Sequence, residues 1–134
     1  MLHYHTIPVT AFAQNCSLLW CDATGQAALI DPGGDIDRLQ AEVQARSLTL
    51  TALWLTHAHI DHAGGTGALA QQLALPIIGP HPGDQFWIDG LPQQSAMFGF
   101  PPALPFTPTR WLHDGDSVQL GEETVHVRHC PGHT

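Results

Sequence analysis

The alternation of apolar and polar side chains predicts strands in the first part of the chain. Residues 3–9 (HYHTIPV) alternate and are rich in strand-forming side chains, and residues 16–21 and 26–31 have the same character. The segment 22–25 between the last two has the composition of a hairpin turn. We therefore expect three strands, of which the second and third form a hairpin.

Helical spacing replaces this alternation after the third strand. Ile36, Leu39 and Val43 recur at the intervals that place apolar residues on one face of a helix. Asp35 precedes them in the position of an N-cap. The pattern predicts a helix that Asp35 caps and that runs through Arg46.

The rest of the chain continues to mix strand and helix signals. Residues 50–56 are nearly all apolar, which predicts a strand buried on both faces. A short helix is expected over residues 65–75, and Pro76 ends it before another buried strand. Segment 80–110 is rich in proline, glycine and aromatic residues, which predicts loops around a site with at most one helical turn. The residues from 110 onward predict two or three strands, so the fold class is mixed α/β with helices covering part of a sheet.

Size and charge limit the functions that the chain can have. Its 134 residues, 43% of them apolar, predict one domain (1–134) with a modest core. The formal net charge is −8, and the four basic residues are dispersed arginines, so we expect no nucleic-acid partner. The absence of basic clusters and of an apolar run of roughly 20 residues predicts no membrane association.

The cysteines predict a reducing environment. Cys16, Cys21 and Cys130 are odd in number and lack the spacing of a disulfide framework. The N-terminal residues do not resemble a secretory signal. We expect three free thiols in a cytoplasmic protein, with Cys130 packed against its surroundings.

The segment THAHIDH, directly after the strand predicted at 50–56, carries the chemistry. In an extended segment His57 and His59 point the same way and can hold one ion, while Asp61 and His62 face elsewhere and can hold a second. Nitrogen and carboxylate ligands suit zinc, and also iron or manganese. A polar loop of solvated histidines is disfavoured by four metal-competent residues within six positions. The segment therefore predicts a metal site.

Another ligand must come from elsewhere, because zinc takes about four. His133, in the glycine-containing turn CPGHT, is the best candidate, although alone it would be interpreted as a disordered terminal histidine. His3 and His5 are better explained by a solvated edge strand. The remaining histidines are expected to be structural or exposed: His81, His113, His126 and His129.

The motifs THAHIDH and HCPGHT resemble those of the metallo-β-lactamase superfamily, specifically its glyoxalase II-like hydrolases. AFAQNCSLLW and ALIDPGGD upstream are similar to the same branch. The resemblance implies an αββα sandwich in which His57, His59 and His133 hold one zinc ion. Asp61 and His62 would hold a second zinc ion.

The resemblance also implies a reaction. A metal-bound hydroxide would attack the carbonyl of a small-molecule thioester, as in hydroxyacylglutathione hydrolases, with Asp61 as the catalytic residue that orients it. Asp31 resembles a carboxylate that supports the site in this family, although a turn aspartate explains it equally well. The alternatives are a persulfide dioxygenase with mononuclear iron and a non-catalytic metal-binding fragment.

The family pattern continues beyond CPGHT. Its further strands and helices carry an aspartate that bridges the metals and another histidine ligand. The resemblance therefore implies that this chain supplies roughly the N-terminal half of the sandwich and has little activity by itself. The oligomeric state is left open.

Overall fold

A five-stranded sheet forms the centre of the protein in the computed structural model, which describes residues 1–133. The first three strands pair in an antiparallel manner, and the last two join them in parallel. The three predicted N-terminal strands and the hairpin at 22–25 are confirmed. In spatial order the strands are β1 (Leu2–Val9), β2 (Gln14–Cys21), β3 (Gln26–Ile30), β4 (Thr49–Trp54) and β5 (Ile77–Ile78).

Three helices connect the parallel strands. Helix α1 (Ile36–Ala45) leads from β3 to β4, and α2 (Ile60–Ala63) and α3 (Thr66–Leu73) lead from β4 to β5. Leu39 of α1 and Leu69 of α3 are fully buried in the core cluster on one face of the sheet. Burying a leucine side chain contributes about 1.5–3 kcal/mol, which fixes these helices on the sheet. Within residues 1–133, the helices are too short and too polar to cross a bilayer.

Asp35 precedes α1 as predicted, but it does not cap the helix. Its backbone has a left-handed conformation with φ of 52°, and its side chain makes no capping hydrogen bond. Instead, its Oδ2 accepts a hydrogen bond of 2.9 Å from the backbone N–H of Thr10 in the β1–β2 turn. The capping prediction is wrong because this carboxylate has a tertiary partner.

The loops predicted for segment 80–110 are in part helices. A 3₁₀ turn (Pro82–Asp84) leads into α4 (Gln85–Asp89), and α5 (Leu91–Phe98) follows after Gly90. Pro82 is the first residue of the 3₁₀ turn and Pro92 is the second residue of α5, and in the first turn of a helix the missing N–H of proline costs nothing. The composition of the segment predicted loops with at most one helical turn, whereas these prolines lie at the start of helical segments.

A second, two-stranded sheet covers the other face of the large sheet. Strands β6 (Ser117–Leu120) and β7 (Glu123–His126) pair in an antiparallel manner. Val118 and Leu120 pack against Trp54, which is buried as expected. The layers are therefore helices, sheet and sheet, in the order of an αββα sandwich.

The cysteines remain free thiols, but one of them lies in an unexpected place. Cys16 and Cys21 are buried, whereas Cys130 is exposed. The prediction that Cys130 packs against its surroundings is wrong, because residues 129–133 follow β7 as an exposed loop.

Candidate metal centre

The parallel pairing of β3 and β4 brings two chain segments to one edge of the sheet. Asp31 follows β3, and its backbone N–H donates to the carbonyl of Trp54 at the end of β4. His59 is still extended, with φ of −64° and ψ of 149°, and α2 begins at the next residue. Sequence reasoning did not predict α2, whose single turn carries Asp61 and His62.

The three histidines predicted to bind one ion lie together. One ring nitrogen from each of His57, His59 and His133 lies within 4.8 Å of the others. The ring centroid of His57 is 4.8 Å from that of His59 and 4.8 Å from that of His133. The structure thus brings His133 from the C-terminal loop to the end of β4.

A second group overlaps the first. His62 lies beside His57, with 4.0 Å between their ring centroids, and ligand atoms of both residues lie within 4.8 Å of an oxygen of Asp31. The Oδ2 atom of Asp61 is 3.6 Å from Nε2 of His62. Asp61 and His62 are therefore neighbours next to the histidine trio.

Asp31 organises the centre from a buried position. Its side chain is 7% exposed, and its Oδ1 accepts a hydrogen bond of 2.8 Å from the backbone N–H of Thr56. Its Oδ2 accepts from the hydroxyl of Thr56 and lies 3.0 Å from Nδ1 of His62. Because a carboxylate only accepts, Nδ1 of His62 is the donor, and its Nε2 keeps a lone pair for a metal.

The same network determines the tautomer of His57. The Thr56 hydroxyl donates its proton to Asp31, so it accepts one from Nδ1 of His57 at 2.9 Å. Nε2 of His57 is then unprotonated. This atom is buried and has no hydrogen-bond partner among residues 1–133. A buried lone pair without a donor fits a metal ligand, because buried polar atoms otherwise find partners.

Electrostatics also favours the neutral, ligand forms of His57 and His59. Burial, aided by the nearby His62, lowers the pKa of His57 to about 4. Burial and the neighbouring His133 lower the pKa of His59. Burial alone would lower the pKa of His62, but the hydrogen bond and charge of Asp31 and the charge of Asp61 raise it overall. His57 and His59 are therefore neutral near pH 7.

Glycine is required where the loop after β3 passes the ligand segment. A Cβ atom on Gly33 would lie 1.7 Å from the carbonyl oxygen of Asp61. A Cβ atom on Gly64 would lie 2.7 Å from the carbonyl oxygen of Gly33. The PGG and AGG sequences thus allow the two segments to touch through their backbones.

Three buried polar side chains that sequence reasoning missed bind the backbone of the ligand segment. Gln14 donates to the carbonyl of Asp61 at 2.8 Å. Asp84 and Gln94 accept from the N–H groups of Ala58 and Ile60. Each partner lies far away in sequence, so no local pattern could have found these bonds.

A cleft of about 240 Å³ opens beside the histidine trio. The cleft is lined by polar residues, and through it a small molecule can reach His57 and His133. Among the aromatic residues of segment 80–110, Trp87 contacts the centre, with the centroid of its ring 4.7 Å from that of His59. Phe98 and Phe100 pack against Phe12 instead. The residues around the cleft are Thr56, His57, His81, Asp84, Arg128, His129, Cys130, Pro131 and His133.

Comparisons with known proteins agree with this geometry. The model of the metallo-beta-lactamase superfamily matches residues 9–134. Hydroxyacylglutathione hydrolase GloC of Haemophilus influenzae is 41% identical over 134 residues, which cover 99% of this chain and 63% of that protein. The chain thus spans less than two thirds of this relative.

Solved structures show the same fold. The BLEG-1 B3 metallo-beta-lactamase superposes with a TM-score of 0.84 at 30% identity, over 98% of this chain and 63% of its own. TTHA1623, solved in a di-iron-bound form, superposes with a TM-score of 0.76 at 30% identity, over 85% of this chain and 56% of its own. The α/β fold and the resemblance found in the sequence are confirmed, and the chain belongs to the metallo-beta-lactamase superfamily, whose fold implies a divalent-metal site.

Proposed function

We propose that the protein is a metal-dependent hydrolase of small-molecule thioesters, similar to hydroxyacylglutathione hydrolases. The observation that carries the metal requirement is the buried, unpaired Nε2 of His57 beside His59 and His133. The thioester is supported by the relative from Haemophilus influenzae, which bears that activity in its name. A cytoplasmic location stays a prediction.

The chain's own residues divide into two ligand sets. His57, His59 and His133 would hold one ion, and Asp61 and His62 a second. Zinc suits these donors, and iron suits them too. A divalent metal bound here would make water nucleophilic near neutral pH and polarise a substrate carbonyl.

The other contributions come from protein groups. Asp31, acting through the hydroxyl of Thr56, keeps Nε2 of His57 available. Asp61 presents a carboxylate at the edge of the centre, where it can accept a proton from the attacking water and orient it. The polar cleft admits a small substrate and has a volume of about 240 Å³.

The test is hydrolysis of a hydroxyacylglutathione thioester after the chain is stripped and reloaded with zinc, iron or manganese. We expect turnover that is slow, because the chain spans less than two thirds of its relative, but that follows metal content and is lost in the His59→Ala variant. The matched control is His126→Ala, because His126 is an exposed histidine of β7 outside the ligand groups. A metal-loaded chain that leaves thioesters intact would refute the thioesterase proposal.

A single ion is favoured by one observation and leads to two alternative functions. Among residues 1–133, the histidine trio supplies three ligands to one ion, whereas Asp61 and His62 supply two to a second. One iron would suit a persulfide dioxygenase, and one ion without turnover would mean a non-catalytic metal-binding protein. Oxygen uptake with a persulfide identifies the first, and one bound ion with no reaction identifies the second.

A further inference from the structure

We propose that Asp84, Trp87 and Gln94 form a clamp that positions His59 as a metal ligand. The three residues belong to the segment from the 3₁₀ turn to α5, which sequence reasoning expected to be a rim of loops. The inference rests on the ligand role proposed for His59. It extends that proposal to residues which do not touch the ion.

Two of the clamp residues fix the backbone on either side of His59. Oδ2 of Asp84 accepts a hydrogen bond of 3.0 Å from the N–H of Ala58. Oε1 of Gln94 accepts one of 2.9 Å from the N–H of Ile60. Both bonds are buried, so water cannot replace either acceptor without a rearrangement. The peptide groups before and after His59 are therefore held in place.

The third residue fixes the ring. The indole of Trp87 meets the imidazole of His59 edge-on, with 4.7 Å between centroids and an angle of 86° between planes. Nε2 of Gln94 donates a hydrogen bond of 2.9 Å to the carbonyl of Trp87. Gln94 thus joins the backbone of the ligand segment to the residue that packs on the ligand ring.

The clamp replaces an orienting bond that His57 and His62 have. Nδ1 of His57 is held by Thr56, and Nδ1 of His62 by Asp31. Throughout the described chain, the ring of His59 has no hydrogen bond to another residue. Ligating histidines usually gain orientation and affinity from such a bond. For His59 we assign that orientation to the backbone bonds and the indole contact.

The experiment measures zinc affinity by competition with a chromophoric chelator, together with the absorption spectrum of the Co²⁺-loaded protein. Gln94→Met keeps the length of the side chain but removes its oxygen and nitrogen. Asp84→Ala removes the acceptor for Ala58, and Asp84→Asn keeps an oxygen there. The controls are Gln93→Met and Asp89→Ala, which change exposed residues in the same segment.

We expect Gln94→Met and Asp84→Ala to weaken zinc binding about tenfold, as loss of an orienting partner commonly does. Both should shift the Co²⁺ spectrum, because the geometry around His59 changes. Asp84→Asn should restore most of the affinity, and the controls should match the wild type. A structural role alone would alter thermal unfolding without changing the spectrum.

Three results would overturn the clamp. Folded Gln94→Met and Asp84→Ala proteins with wild-type affinity and spectrum would show that His59 needs no positioning. If Gln94→Met fails to fold, the test rests on the zinc affinities of the two Asp84 variants. Equal affinities for Asp84→Ala and Asp84→Asn would then contradict the proposal. A wild type that binds neither zinc nor Co²⁺ would refute the ligand role of His59 as well.

Discussion

The histidine trio comes from two regions that are built differently. His57 and His59 belong to segment 57–62, which is partly buried and is bound by side chains from β2, the 3₁₀ turn and α5. His133 belongs to the loop 130–133, which is exposed throughout. That loop makes no hydrogen bond to another residue within the range 1–133.

The difference concerns when each ligand is ordered. Segment 57–62 has its geometry before an ion arrives, so little conformational entropy is lost there on binding. The exposed C-terminal loop lacks hydrogen bonds to other residues within the range 1–133, so we expect the ion to order it at the expense of part of the binding free energy. The first region should therefore determine affinity, and the second should modulate it.

The largest effect is expected for His59→Ala. It removes a preorganised ligand from the histidine trio, so binding of the first metal should be abolished. Native mass spectrometry of the purified protein would report the bound ions directly. Unchanged metal content would contradict the ligand assignment.

His133→Ala should weaken binding without abolishing it. Water can take the position of an exposed ligand, and the entropy cost of ordering the loop disappears, so we expect a loss on the order of 100-fold. The measurement is the chelator competition used for the clamp. Loss as complete as that in His59→Ala would mean that both regions are equally preorganised.

Thr56→Val should have a smaller effect, about tenfold in metal affinity, because it acts through the orientation of His57. Valine has the shape of threonine but cannot accept the proton of Nδ1 or donate to Asp31. Thr56→Ser, which keeps the hydroxyl, is the matched control. Equal affinities for the two variants would show that the hydroxyl does not fix the tautomer.

Cys130→Ser should have the smallest effect on metal affinity and stability. The thiol is exposed in the loop that the ion must order, and no described contact holds it. We expect metal affinity to be unchanged and the free energy of unfolding to shift by less than about 0.5 kcal/mol. Chelator competition and denaturant unfolding would check this, and a tenfold loss of affinity would make Cys130 part of the site.

Features with a local cause could be predicted from the sequence. The strands follow from alternation, and the cluster from His57 to His62 follows from ligand types at close spacing after an apolar run. Zinc's need for about four ligands pointed to His133, and the structure places it beside His57 and His59. Whether these residues bind metal stays a prediction.

Features that depend on distant partners could not be predicted. Gln94 looks like any polar residue of a helix until folding places it beneath Ile60. Asp35 has the residue type and the position of an N-cap, but its side chain accepts a hydrogen bond from the β1–β2 turn instead. A proline is favoured in the first turn of a helix but breaks a helix in its middle. For the prolines of segment 80–110, only the surrounding packing distinguishes these cases.

The parallel pairing of β3 with β4 also determines the order of events during folding. Asp31 meets Thr56 only after α1 has crossed over the sheet, and such non-local pairing forms slowly. We therefore expect the ligand cluster to be completed late in folding. Metal should slow unfolding of the protein while leaving its folding rate nearly unchanged, so the ion would increase the kinetic stability of the folded state.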